Sequence, residues 1–392
     1  MEVESRAIRL QKSMGRALVG FFLIGLLASC TAADRGLERD DLFTIPIGTL
    51  PGELDWFYQG SESGVVDIQT RNGLIYISNS RRGKIMVFNS YGDLLTIVYD
   101  PSKNSILSSS EDGNLTSSIS SWQFRFPHII SASNEGFLVV DRIESEFRNG
   151  LREDRQSTMF NRVILRFDKD GNYLGHLGRE GLGGSPFPDI LAIDTRHDNT
   201  IVVTCYQFLS GTWISYWYTE DGYPITTIQI KENQLPGIAD GNDISVQIVR
   251  PDPREWLLHL KADIYSRMDP GKKLESRLYT LDLSTFEYTE SISLLHDEEF
   301  TDMGYPLGSP EYLGTTLNGS HAMLYTEGPN TYRIHIINAQ GRIVYNRQLE
   351  IGSDSKIYRR FKMQNDGLLV GIFFGSSKAT VSWWRFDEIL KK

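Results

Sequence analysis

Residues 73–99 read GLIYISNSRRGKIMVFNSYGDLLTIVY, and this stretch decides the fold class. Three apolar runs lie within it: Leu74–Asn79, Lys84–Asn89 and Leu94–Tyr99. Each is about six residues long and rich in β-branched and aromatic residues, and turn-formers separate them. Such runs are too short for helices and carry no 3.6-residue period. The same order returns at GFLVVD (136–141) and RVILRFDKDGNYLG (162–175). Both copies share a pattern: glycine, three apolar residues and Asp or Asn, then a basic residue leading to Phe, then a glycine turn. Working outward, similar runs fill the chain to its C-terminus, and no amphipathic helix of good length interrupts them. Self-similarity of this kind is the mark of an all-β repeat fold.

The repeat resembles the NHL-type repeat of six-bladed β-propellers, clearly in its first two copies and less so afterwards. The resemblance implies a fold and no activity. It predicts one all-β domain over 42–392, a single six-bladed propeller of four-stranded antiparallel blades. Inner strands are expected to begin near Val65, His128, Asp189, Ser245, Pro310 and Ile357. The sixth blade lacks an outer strand at the C-terminus. The β-like segment 42–47 is predicted to supply it and close the ring, with residues 54–58 as the substitute; Pro46 suits an outermost strand. Trp213–Tyr218 and Val381–Trp384 are apolar on both faces, which fits blade-to-blade packing better than a ligand cage.

The N-terminus follows a different logic. Arg6, Arg9, Lys12 and Arg16 precede the apolar run ALVGFFLIGL (17–26), the layout of a secretory signal. The run ends in Leu27-Ala28-Ser29-Cys30, which resembles the lipobox of bacterial lipoproteins. That resemblance implies removal of 1–29, lipidation (palmitate) of Cys30, a polar tether over 30–41, and membrane contact through the lipid alone. The expected location is the bacterial cell envelope, on the outer-membrane or periplasmic side. Removing four positive and two negative residues takes the net charge from −10 to −12. So acidic a chain gives no electrostatic reason to bind nucleic acid. Cys205, the second of two cysteines, lies in an apolar run and reads as a buried, inert thiol.

Loop lengths point to one face. Turns after the first and third strands of a blade are short, as at Asn72-Gly73, Gly92-Asp93 and Gly171-Asn172. Connections after the second and fourth strands carry the long insertions, at 101–124, 144–161, 231–244, 268–275 and 296–309. Long loops on a rigid scaffold usually carry function. The expected role is a binding or scaffold module that offers this face to a protein, peptide or glycan partner. The alternative is a metal-assisted hydrolase or lactonase-like enzyme. Phe126-Pro127-His128 and Phe187-Pro188-Asp189 match, and Pro310-Glu311 is a looser version, so His128, Asp189 and Glu311 are the candidate channel-mouth ligands. A histidine with two carboxylates suits a divalent metal; no other cofactor is expected. Asp168–Asn172 reads as a turn, and 181–186 as a glycine-rich blade linker. No G-x-S-x-G elbow or H-E-x-x-H motif is present, so no catalytic residue is assigned.

Overall fold

The computed structural model describes residues 39–56, 65–104, 118–143, 160–237, 242–269, 271–289, 291–294, 309–328, 331–351 and 358–386. The lipobox and signal region, residues 57–58 of the substitute closing segment, and most of the long insertions lie outside them. Among the described residues no helix is long and apolar enough to cross a membrane.

The chain is a six-bladed β-propeller, with six separate sheets of four or five strands. After β1 (Asp40–Pro46), blade one holds β2 (Val66–Arg71), β3 (Leu74–Asn79), β4 (Lys84–Asn89), β5 (Leu94–Tyr99) and β6 (Ser118–Ser121). Blade two holds β7 (Ile130–Ala132), β8 (Gly136–Arg142), β9 (Arg162–Asp168), β10 (Tyr173–Gly178) and β11 (Gly181–Leu182). Blade three holds β12 (Asp189–Thr195), β13 (Ile201–Gln207), β14 (Thr212–Tyr218) and β15 (Pro224–Lys231). In blade four, β16 (Asn242–Pro251) and β17 (Leu257–Ser266) lead to β18 (Lys273–Asp282), which pairs with both β19 (Glu287–Tyr288) and β20 (Ile292–Leu294). Blade five holds β21 (Glu311–Thr315), β22 (His321–Gly328), β23 (Thr331–Ile337) and β24 (Ile343–Glu350). Blade six holds β25 (Tyr358–Met363), β26 (Leu368–Phe374) and β27 (Lys378–Arg385), with β1 antiparallel to β27.

One turn recurs between the third and fourth strands. In blade one the Asn89 side chain accepts from the amides of Tyr91 and Asp93. Asp168 does the same for Asp170 and Asn172, and Asn338 for Gln340 and Arg342. These are Asx turns, in which the side chain imitates a backbone turn. Asp168–Asn172 is therefore a turn. Each of these turns also packs onto the outermost strand of the preceding blade. A Cβ on Gly171 (φ 85°) would lie 2.7 Å from Ser120 Oγ of β6, and one on Gly92 (φ 88°) would lie 2.7 Å from the Phe43 side chain of β1. Glycine meets both the left-handed backbone and the lack of space.

Three expectations change. Residues 101–124 are not only a connection, because 118–121 form β6, parallel to β5. Ser118 and Ser120 then donate to the carbonyls of Asp170 and Gly171 in the blade-two turn. Likewise the start of the glycine-rich linker forms β11 on β10. Both additions give the next blade's turn a seat. The inner strand of blade four starts at Asn242, three residues earlier than expected.

The core lies between blades. One cluster joins Ile45, Ile68 and Ile77 to Ile372 and Val381, across blades six and one. Others lie between blades one and two, two and three, three and four, and four and five. Every residue of β14 is buried, as is Trp384, so these aromatic runs are packing surfaces. Cys205 is buried too, and burial pushes its thiol pKa up, which makes it unreactive.

Candidate binding cleft beside a closed channel

The six inner strands surround a channel that their own side chains fill. Asp67 on β2 faces Lys362 and Arg360 on β25, at 3.4 and 3.2 Å. Asp67 also accepts from the amide of Ile130, while Lys362 Nζ donates to the carbonyl of the same residue. Burial alone would raise the Asp67 pKa, but Lys362 and then Arg360 outweigh it and hold the carboxyl below its ordinary range. Arg250 on β16 donates to both carboxylate oxygens of Asp194 on β12. At the short-turn end, the Arg71 guanidinium bridges Asn134 and Asn199, joining blades one, two and three. Among these residues lies a cavity of about 30 Å³ lined in part by Asp67, Arg250, Glu311 and Lys362. That is room for about one water.

The candidate channel-mouth residues do not gather. His128 is half-buried, with its Nδ1 3.1 Å from the Phe126 carbonyl and its ring 5.6 Å from the Phe126 ring. Burial is the main cause of its lowered pKa. Glu311 is exposed and lines the small channel cavity. Asp189 lines a separate cleft. Among the described residues, no group of three His, Cys, Asp or Glu side chains could hold a metal ion. The proline before each residue fixes only the entry of its strand, so the three need not form one ligand group. Asp189 lies close enough to His128 for its charge to act on the imidazole, whereas Glu311 lines the channel cavity.

The larger opening lies off the axis, where blade two meets blade three. It is a cleft of about 520 Å³ at the end where the inner strands begin. Arg142 ends β8 and Arg162 begins β9, and the two are directly opposite in the ladder. Cross-strand partners project on the same side of a sheet, and like charges there are destabilising. Arg142 rests over the Phe126 ring at 4.6 Å. The Arg162 side chain is only 16% exposed. Its Nε and Nη1 have no hydrogen-bond partner among the described residues. The Asp189 carboxylate stands 3.7 Å from that Nε, beyond hydrogen-bond range. Burial first, and then the charge of Arg142, lower the Arg162 pKa. The opposite wall is aromatic. Tyr206 holds Phe208 edge-on at 4.9 Å, and Phe208 is 62% exposed.

Sequence reasoning missed this cleft, although Arg162 stands in the repeat as its basic residue. The equivalent residue of blade one is Lys84, which is buried and donates to the carbonyls of Leu50 and Pro51. A hydrogen-bonded cation in one blade and one with two unused donors in the next is a contrast that only the tertiary structure reveals.

No protein-family model matches the chain, and no curated relative matches it. Among solved structures it is similar to the polysaccharide lyase Uly1, at 11% identity and a TM-score of 0.46, over 90% of this chain and 99% of that one. It is similar to the WD40 domain of Toxoplasma gondii coronin, at 9% identity and a TM-score of 0.43, over 89% and 86% of the two chains. It is also similar to prolyl oligopeptidase B from Galerina marginata, at 12% identity and a TM-score of 0.41. That match covers 79% of this chain, which spans 37% of the oligopeptidase. At these identities and scores none of the three carries an argument about what this chain binds.

Proposed function

We propose that the chain is a cell-envelope lipoprotein, anchored through a lipid on Cys30, whose propeller is a binding module. The pairing of β1 with β27 is read as the closure that makes the ring rigid enough for that task. The partner, a protein, peptide or glycan, meets the face on which the inner strands begin. One observation carries this reading: the two ends of the propeller are unlike. At the short-turn end Arg71 bridges Asn134 and Asn199, while the other end holds the 520 Å³ cleft with an arginine whose Nε and Nη1 have no hydrogen bond among the described residues. Ligand sites are concave, with a few unmet polar groups in an apolar wall. The sequence from Arg6 to Cys30 supports the anchor.

The test is photo-crosslinking from the full-length chain in its native cells, with the crosslinking residue at Phe208 or at Asn318. An adduct from Phe208 and none from Asn318 is expected. In parallel, the Cys30→Ala chain should leave the membrane fraction. An adduct from Asn318 alone would overturn the choice of face. A Cys30→Ala chain that stays with the membrane would overturn the anchor.

A further inference from the structure

The cleft has a chemistry of its own, and it deepens the reading above by naming a ligand class. Two arginines face each other across the β8–β9 ladder. That arrangement weakens the sheet, and Asp189, 3.7 Å from Arg162, offsets only part of the repulsion while leaving two Arg162 donors without a hydrogen bond among the described residues. The general surface does not explain it, since the chain as a whole carries a net charge of −10. Arg162 has two unsatisfied donors, and a guanidinium fork matches a carboxylate in a bidentate pair. Next to it stand Asp189, Asn161 and Gln207, a carboxylate and two amides. Such groups accept from and donate to hydroxyls. Phe208 completes the lining with a flat, exposed apolar face.

We infer that the cleft binds an acidic sugar, a uronic acid residue of a glycan. Its carboxylate lies on Arg162 and Arg142, its hydroxyls on Asp189 and the amides, and the C–H face of its ring on Phe208. A carboxylate, neighbouring hydroxyls and an apolar ring face occur together in that class. The volume falls within the ~300–1,000 Å³ usual for small-molecule sites. An acidic peptide would satisfy the arginines but would set Asp189 against further negative charge with no hydroxyl to receive. The inference rests on the ligand face assigned above.

Calorimetric titration of the full-length protein in detergent, at low salt, tests it with trigalacturonate as the probe. Its methyl ester, neutral maltotriose and triglutamate are the comparisons. Trigalacturonate should bind saturably, and the others much more weakly. Arg162→Ala and Phe208→Ala should each weaken binding about tenfold or more, the scale of one hydrogen-bonded charge. Arg162→Ala should leave the melting temperature unchanged or raise it, which a merely structural arginine would not do. Absence of saturation, equal binding of triglutamate, or indifference to Arg162→Ala would each overturn the inference. If Phe208 still crosslinks in cells while trigalacturonate does not bind, the sugar assignment falls and the face stands. If only Asn318 crosslinks, the face falls as well.

Discussion

Asp67 and Arg162 are both charged groups withdrawn from water, and they are held in opposite ways. Asp67 has two cations and a backbone amide around it. Removing one partner of a buried pair strands the other, at a cost of about 3–5 kcal/mol. Asp67→Ala should therefore lower the unfolding free energy by about that much, read from denaturant melts. A loss below about 1 kcal/mol, the worth of an exposed pair, would contradict the role given to it. Arg162 has a single carboxylate nearby, Asp189 at 3.7 Å, and two donors without a hydrogen bond among the described residues, so its substitution should register more in binding than in folding. The sequence shows an Asp in an apolar strand and an Arg at a repeat position. It cannot show which of the two is satisfied, because Asp67 meets Lys362 across 295 positions of sequence.

At the level of elements, the recurring device is a turn seated on its neighbour. β1 provides the seat for the blade-one turn: Phe43 packs on Phe88 with ring centroids 5.3 Å apart, and Ile45 is buried in the core shared by blades six and one. Deleting residues 40–46 removes that seat and leaves the edge of β27 unpaired. Losing the burial of Ile45 alone costs about 2 kcal/mol. The shortened chain should melt at a lower temperature and self-associate, because an open edge recruits other strands. Thermal melts with light scattering check this. An unchanged monomer of unchanged stability would show that β1 contributes nothing. The strands and their turns were legible in the sequence, since alternation, β-branching and Asx turns are local properties. β6 and β11 were not, because short polar or glycine-rich segments become strands only when a neighbouring ladder recruits them.

The whole molecule should respond to acid in two stages. His321, beside His259 and Tyr312, has its pKa pushed down to about 3, by burial first and then by His259. His335 is pushed down to about 4, mainly by burial. Both are lowered from 6.5, so as pH falls through that value the unfolded chain takes up protons that the folded chain refuses. Their stability contribution is complete above pH 6.5 and is lost as pH falls toward the folded values. Asp67, Asp252 and Asp263 have lowered pKa values and add their own loss once pH drops below the ordinary 3.8. Stability should fall between about pH 6.5 and 4.5 by up to ~1.4 kcal/mol per pH unit for each histidine. His321→Asn should flatten that slope, as measured by denaturant melts across pH. An unchanged slope would refute the assignment to His321.

The sequence by itself determined an all-β repeat fold of six blades, the approximate start of each inner strand, and the turn chemistry that separates the strands. These depend on residues within a few positions of one another, where period and turn preference act directly. The tertiary structure decided where a ligand could sit. Arg142, Arg162 and Asp189 come from different strands and Phe208 from the turn after β13, on two blades, and no spacing rule joins them. His128, Asp189 and Glu311 looked equivalent because each follows a proline at a strand entry. Asp189 lines the cleft and Glu311 the channel cavity, a difference set by how neighbouring blades pack.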